Sequence, residues 1–211
     1  MRHALILLTA IVACTATATF ADPGADAKRD AQVLASQAVQ CLKHGEDLDD
    51  PAAKRAAYEQ GLALAQRAVV LDDANSDAHF AVFGNKGRIL LLDGTVPNPV
   101  SLLSVNRDLE RALELNPNHS DALAAKGGLY RQLPWALGGS LSLAETCLTK
   151  AITIDPEAVG ARIELAATYL DKGEPERSRP LLETAAELAQ RKGKQRELHE
   201  ARALLQQMPT P

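Results

Sequence analysis

Four alanines frame this sequence. Ala68, Ala112, Ala151 and Ala185 stand 44, 39 and 34 residues apart. Each of the first three is followed five residues later by Asp73, Pro117 or Pro156, and then by another Ala/Leu-rich run. The segments are GLALAQRAVVLDDANSDAH (61–79), DLERALELNPNHSDAL (108–123) and AETCLTKAITIDPEAVGARI (144–163). Proline at such a junction ends a helix, because it has no N–H to donate and its ring crowds the preceding turn. The recurrence therefore specifies helix, turn, helix, several times over. Aromatic residues make up only 3% of the 211 residues, so the core has to be Ala, Leu, Val and Ile. An alanine-rich interior suits closely packed helices better than sheets, which favour β-branched and aromatic residues.

Apolar periodicity predicts helices at roughly 28–44, 51–70, 76–92, 100–115, 119–133, 141–154, 157–171, 176–190 and 195–207. That makes four hairpins and a terminal helix. In the last helix Leu198, Ala201, Leu204 and Leu205 face one way and charges the other, as suits a cap on the end of a helical stack. The last unit has the residues of a 34-residue repeat: Leu165, Ala166 and Tyr169 in its first helix, then Ser178, Leu182 and Ala185 in its second. Between them Gly173 and Pro175 suit a helix end and a helix start. The preceding unit has Leu123, Gly127 and Tyr130, then Ala144, Leu148, Ala151 and Pro156. Gly127 and Ala144 are expected at a close helix crossing, with Lys126 facing outward.

These positions resemble the tetratricopeptide repeat, a helix–turn–helix unit whose period is 34. The match departs at the motif's Trp positions, which hold His79, Leu123 and Arg162. The fold class expected is all-α: a tetratricopeptide-repeat solenoid, one domain over 22–211, with its clearest units at 76–117, 120–156 and 159–190. The longer periods, AHFAVFGNKGR (78–88) and LYRQLPWALGGSLSLAETCLTKAITIDP (129–156) are similar to the bacterial family that includes the T component of TRAP-type transporters. More distantly they resemble regulators of microtubule dynamics. That resemblance implies an exported, often lipid-anchored superhelix that associates with a substrate-binding protein.

The first 21 residues differ from the rest. A basic start (Arg2, His3) precedes an apolar run, Ala4–Ala13, which is too short to span a bilayer and reads as an export signal. Thr19-Phe20-Ala21 offers cleavage before Asp22. Ile11-Val12-Ala13-Cys14 offers the other reading, a lipoprotein signal over 1–13 with Cys14 lipidated as the mature N-terminus. Both place the protein in the periplasm or outside the cell, with membrane attachment only through Cys14. Export permits a bridge between Cys41 and Cys147, although each also reads as apolar filler in its own helix.

A net charge of −4 without a basic stripe gives no support to nucleic-acid binding. No catalytic motif is present, the five histidines are scattered, and the Asp-rich turns lack the ligand spacing of a calcium loop, so no enzyme, metal or cofactor is expected. LPWALGGS (133–140) holds the single Trp between two helices. It lacks the preceding strand and closing Lys of a phosphate loop and reads as a long turn, with Ser140 or Ser142 capping the next helix. Function then falls to the groove lined by the first helix of each pair. The candidate partner-binding residues are Phe80, Arg88, Arg131, Gln132 and, at its edge, Trp135. The two arginines are suited to a carboxylate. The reading is an exported adaptor for another envelope protein. Its alternative is an accessory transport component that engages a substrate-binding protein or a small apolar or organic-acid ligand.

Overall fold

The computed structural model describes the backbone of residues 23–94 and 99–208; the expected leader, Cys14 and both cleavage sites lie outside the described residues. Nine α-helices follow one another among the described residues: α1 (Pro23–Asp47), α2 (Pro51–Leu71), α3 (Ser76–Leu92), α4 (Pro99–Leu115), α5 (Ser120–Gln132), α6 (Leu141–Ile154), α7 (Val159–Asp171), α8 (Pro175–Arg191) and α9 (Gln195–Gln207). No strand occurs among those residues. α1/α2, α3/α4, α5/α6 and α7/α8 pair as hairpins, and α9 closes the stack against α8 and α7. Odd-numbered helices also touch across the hairpins, α1 with α3, α5 with α7 and α7 with α9.

Local chemistry sets the boundaries. Asp50 accepts the Ala53 N–H at 2.8 Å to cap α2, and Asn75 accepts the Ala78 N–H at 2.9 Å to cap α3. At α5 the cap is an imidazole: His119 Nδ1 accepts the Ala122 N–H at 3.3 Å. Gly173, at φ 76°, follows α7 in the left-handed region, which lets the Glu174 N–H turn back to the Tyr169 carbonyl at 2.8 Å. α1 starts at Pro23, ahead of the expected 28, because proline is well suited to a first turn and the Ala/Asp/Lys run that follows favours helix.

The alanine frame is the core. Ala68, Ala112, Ala151 and Ala185 are all fully buried. Where helices cross most closely, one partner has no side chain. A Cβ on Gly127 would stand 2.5 Å from Leu148 Cγ, and one on Gly61 would overlap the Asn85 carboxamide. Asn85 is itself fully buried and donates to the carbonyls of Ala38 and Ala81 at 3.2 and 2.9 Å, stitching α1 to α3.

One expectation changes and two open alternatives are decided. Lys126 does not face outward: its side chain is 22% exposed and its ammonium lies 2.7 Å from the Glu110 carboxylate. Ser140, not Ser142, caps α6, through the Leu143 N–H at 3.3 Å. Cys41 and Cys147 are free thiols, half-buried in helices that do not face each other, and burial pushes both thiols up from their ordinary value.

Candidate partner-binding face

The odd helices present their polar ends to one another, and charge pairs link all five. Arg88 of α3 pairs with Glu46 of α1. Arg196 of α9 reaches the other oxygen of the same carboxylate at 3.2 Å, across 150 residues of sequence. Lys43 of α1 lies 3.9 Å from Asp121 at the start of α5. Arg131 of α5 donates through Nε to Glu164 at 2.9 Å and through a terminal nitrogen to Asp171 at 3.2 Å, both on α7. Glu200 of α9 sits near Arg196, Glu164, Glu197 and Arg131, and burial pushes its carboxyl above the ordinary range.

The five sequence candidates therefore meet different fates. Arg88 and Arg131 occupy this face, but each already holds an internal carboxylate. Gln132 is exposed beside Arg131. Phe80 is only 7% exposed and packs on Leu109, Ala112 and Ala122, with its ring 4.9 Å from that of His119. It is a core residue, because α3 turns that position toward α4 and α5 and not into the groove. Ile163 of α7 is likewise buried, packed with Ala166 and Leu182.

Trp135 is 88% exposed. It stands on a 3₁₀ turn, Trp135–Leu137, that is tightly hydrogen-bonded. The N–H groups of Leu137 and Gly139 both donate to the Pro134 carbonyl, at 2.9 and 3.0 Å, and Ser140 N–H donates to the Tyr130 carbonyl at 2.8 Å. The stretch is an ordered turn that holds its indole in solvent, as an anchor side chain would be held.

A second charged cluster was not legible in the sequence. Glu145 of α6 accepts from Tyr169 at 3.0 Å, Lys172 at 2.5 Å and Arg177 at 2.8 Å. Its carboxyl is held down to about 2, first by the Lys172 hydrogen bond and then, against its partial burial, by those from Arg177 and Tyr169. The Arg177 guanidinium also lies 3.9 Å from the centre of the Tyr169 ring. An open cleft of about 560 Å³ adjoins this cluster, floored by Ile152, Leu165 and Leu181. Among the described residues no group of three or more His, Cys, Asp or Glu side chains could hold a metal ion. No helix there is long and apolar enough to cross a membrane.

No family model and no curated protein matches the sequence. Solved structures do match the fold. PilF of Pseudomonas aeruginosa superposes with a TM-score of 0.54 at 16% identity, over 88% of this chain and 79% of that one. A thermophilic tetratricopeptide protein of Thermus thermophilus gives 0.54 at 19% identity, over 86% of this chain and 99% of that one. With the hairpin order and the buried alanine frame, these likenesses fix the architecture: the chain folds as an all-α helix-hairpin solenoid of the tetratricopeptide type, closed by a capping helix.

Proposed function

We propose that this protein is an exported, non-catalytic adaptor that binds another envelope protein through the face formed by its odd-numbered helices. The observation that carries the reading is the convergence of Arg88, Arg131 and Arg196 on that face, each holding a carboxylate that a partner's acidic side chains or C-terminus can replace. Stacked helix hairpins work through such extended surfaces. Trp135, at the hairpin end, extends the footprint. The periplasmic or extracellular setting is supported by the Arg2/His3 start and the Ala4–Ala13 run, and the lipid-anchored version by Cys14.

The test has two parts. Intact mass of the protein from its native host should lack residues 1–21, or 1–13 with lipid on Cys14; a full-length chain contradicts export. Arg88→Glu and Arg131→Glu should each weaken capture of the partner from envelope extract while the helical circular dichroism is unchanged, because charge reversal turns attraction into repulsion. Undiminished capture by both variants removes the face from the account. The second reading, an accessory component of solute uptake, is favoured by the resemblance of 78–88 and 129–156 to the transporter T-component family. A co-purifying small apolar or organic-acid ligand, or a substrate-binding protein as the captured partner, would favour it over the adaptor reading.

A further inference from the structure

The contact between α1 and α9 joins the two ends of the solenoid. Arg196, in the first turn of α9, donates to Glu46 near the end of α1 at 3.2 Å. Glu46 is 19% exposed and is shared with Arg88, so one half-buried carboxylate holds cations from the second and the last elements of the odd-helix series. Arg196 is 45% exposed. Such a pair is weak and readily screened by salt. The pair ties the first helix to the last by a contact that holds at low salt and that a modest perturbation can open.

The stack has one loose joint. Within the N-terminal part α1, α2 and α3 interlock through Gly61 and Asn85, and Gly84 lies against Leu42. Within the C-terminal part α5 and α6 interlock through Gly127 and Leu148. Between α4 and α5, among the described residues, the backbones approach each other less than at any other pair of consecutive helices. Side chains hold the joint instead, Phe80, Leu109, Ala112 and Ala122 in one cluster, with Lys126 2.7 Å from Glu110 and His119 3.1 Å from Asp77. Bulky rings fill that space: Phe80 lies 4.9 Å from His119 and 6.3 Å from Phe83. A joint packed by flat side chains without interlocking backbones can rotate with less disruption than a glycine crossing.

We propose that the solenoid is gated: the Glu46–Arg196 clasp holds the odd-helix face closed and the Phe80/Phe83/His119 joint is the hinge on which it opens to admit a partner. The inference rests on the reading that this face is where the partner docks, but the opening itself is a property of the free protein. Internal carboxylates stand in the closed state where the partner's would stand in the open one, so docking and unclasping draw on the same arginines.

The test is a distance measured without any partner. Spin labels are placed on His44→Cys and Gln195→Cys, both exposed and flanking the clasp, in the full chain carrying Cys14→Ala, Cys41→Ala and Cys147→Ala. Double electron–electron resonance at low salt should give one short, narrow distance. Arg196→Glu, or 1 M NaCl (Debye length about 3 Å), should lengthen and broaden it by more than the width of the original peak. Arg202→Glu, which removes a hydrogen bond from α9 to Gln190 of α8 and spares the clasp, should leave it unchanged. An unaltered distance in Arg196→Glu and in high salt overturns the clasp. Equal lengthening in Arg202→Glu overturns it as well, since α9 would then be detaching as a whole. Either result leaves the pull-down of the adaptor reading free to succeed or fail separately.

Discussion

Gly127 and Gly128 are neighbours in one helix, and replacing each by alanine should move stability in opposite directions. Alanine in place of glycine within a helix gains about 1 kcal/mol from backbone entropy. At Gly128 the new Cβ would lie 3.6 Å from its nearest neighbour, the Glu164 carboxylate carbon, an ordinary contact, so most of that gain should survive. At Gly127 the same methyl would stand 2.5 Å from Leu148 Cγ, with both Cδ atoms at 3.0 and 3.2 Å. Cγ is a branch point, and Leu148 is fully buried with Ala144 and Ala151 on its own helix and Leu123, Leu165 and Tyr169 around it, so it cannot swing clear. Overpacking of this kind costs about 1–3 kcal/mol. After the propensity gain of about 1 kcal/mol, Gly127→Ala should lose up to about 2 kcal/mol, against a gain of about 1 kcal/mol for Gly128→Ala. With a urea slope of about 2 kcal/mol/M the two midpoints should differ by roughly 1 M. Leu148→Ala alone should cost about 2–5 kcal/mol. Combined with Gly127→Ala it should cost less than the sum by about 1–2 kcal/mol, because the added methyl enters the vacated space. A Gly127→Ala midpoint equal to or above that of Gly128→Ala would refute the close crossing and, with it, the assigned register of the repeat.

Two further outcomes follow from the charged cluster and the exposed turn. Glu145 has a folded-state value of about 2 against an ordinary 4.5, so its contribution is complete above the ordinary value and is lost as pH falls through that window. Urea midpoints of wild type and Glu145→Gln should therefore converge between pH 4.5 and about 2; parallel pH profiles would contradict the network. Trp135, the single tryptophan, should emit as a solvated indole in the native state, be freely quenched by acrylamide, and shift little on denaturation. A blue-shifted, protected native emission would show that the 133–140 turn folds back on the molecule.

What could be read from the sequence was whatever repeats locally. Helix breakers and the alanine spacing are short-range signals, and they located α2 to α9 to within about two residues. The small residue at Gly127 was legible for the same reason, since its place in the repeat implies a crossing. Contacts between distant segments were not legible. Nothing in the strings around Glu46 and Arg196 announces that they meet, and the Glu145 carboxylate has capping-box spacing from Ser142 yet serves Tyr169, Lys172 and Arg177. Phe80 failed as a groove residue because its ring packs across three helices, on Leu109, Ala112 and Ala122, a long-range contact that motif position does not report.

The central claim is that a protein partner docks on the odd-helix face. Site-specific photo-crosslinking in the native host tests it most directly. The photoreactive residue p-benzoylphenylalanine would replace Arg88, Gln132 or Asp171 on that face, and Gln60, Glu114 or Glu183 on the exposed sides of α2, α4 and α8. One adduct of constant mass should form from the first three positions and not from the second. Adducts confined to Gln60, Glu114 and Glu183, or none from either set, would contradict the account.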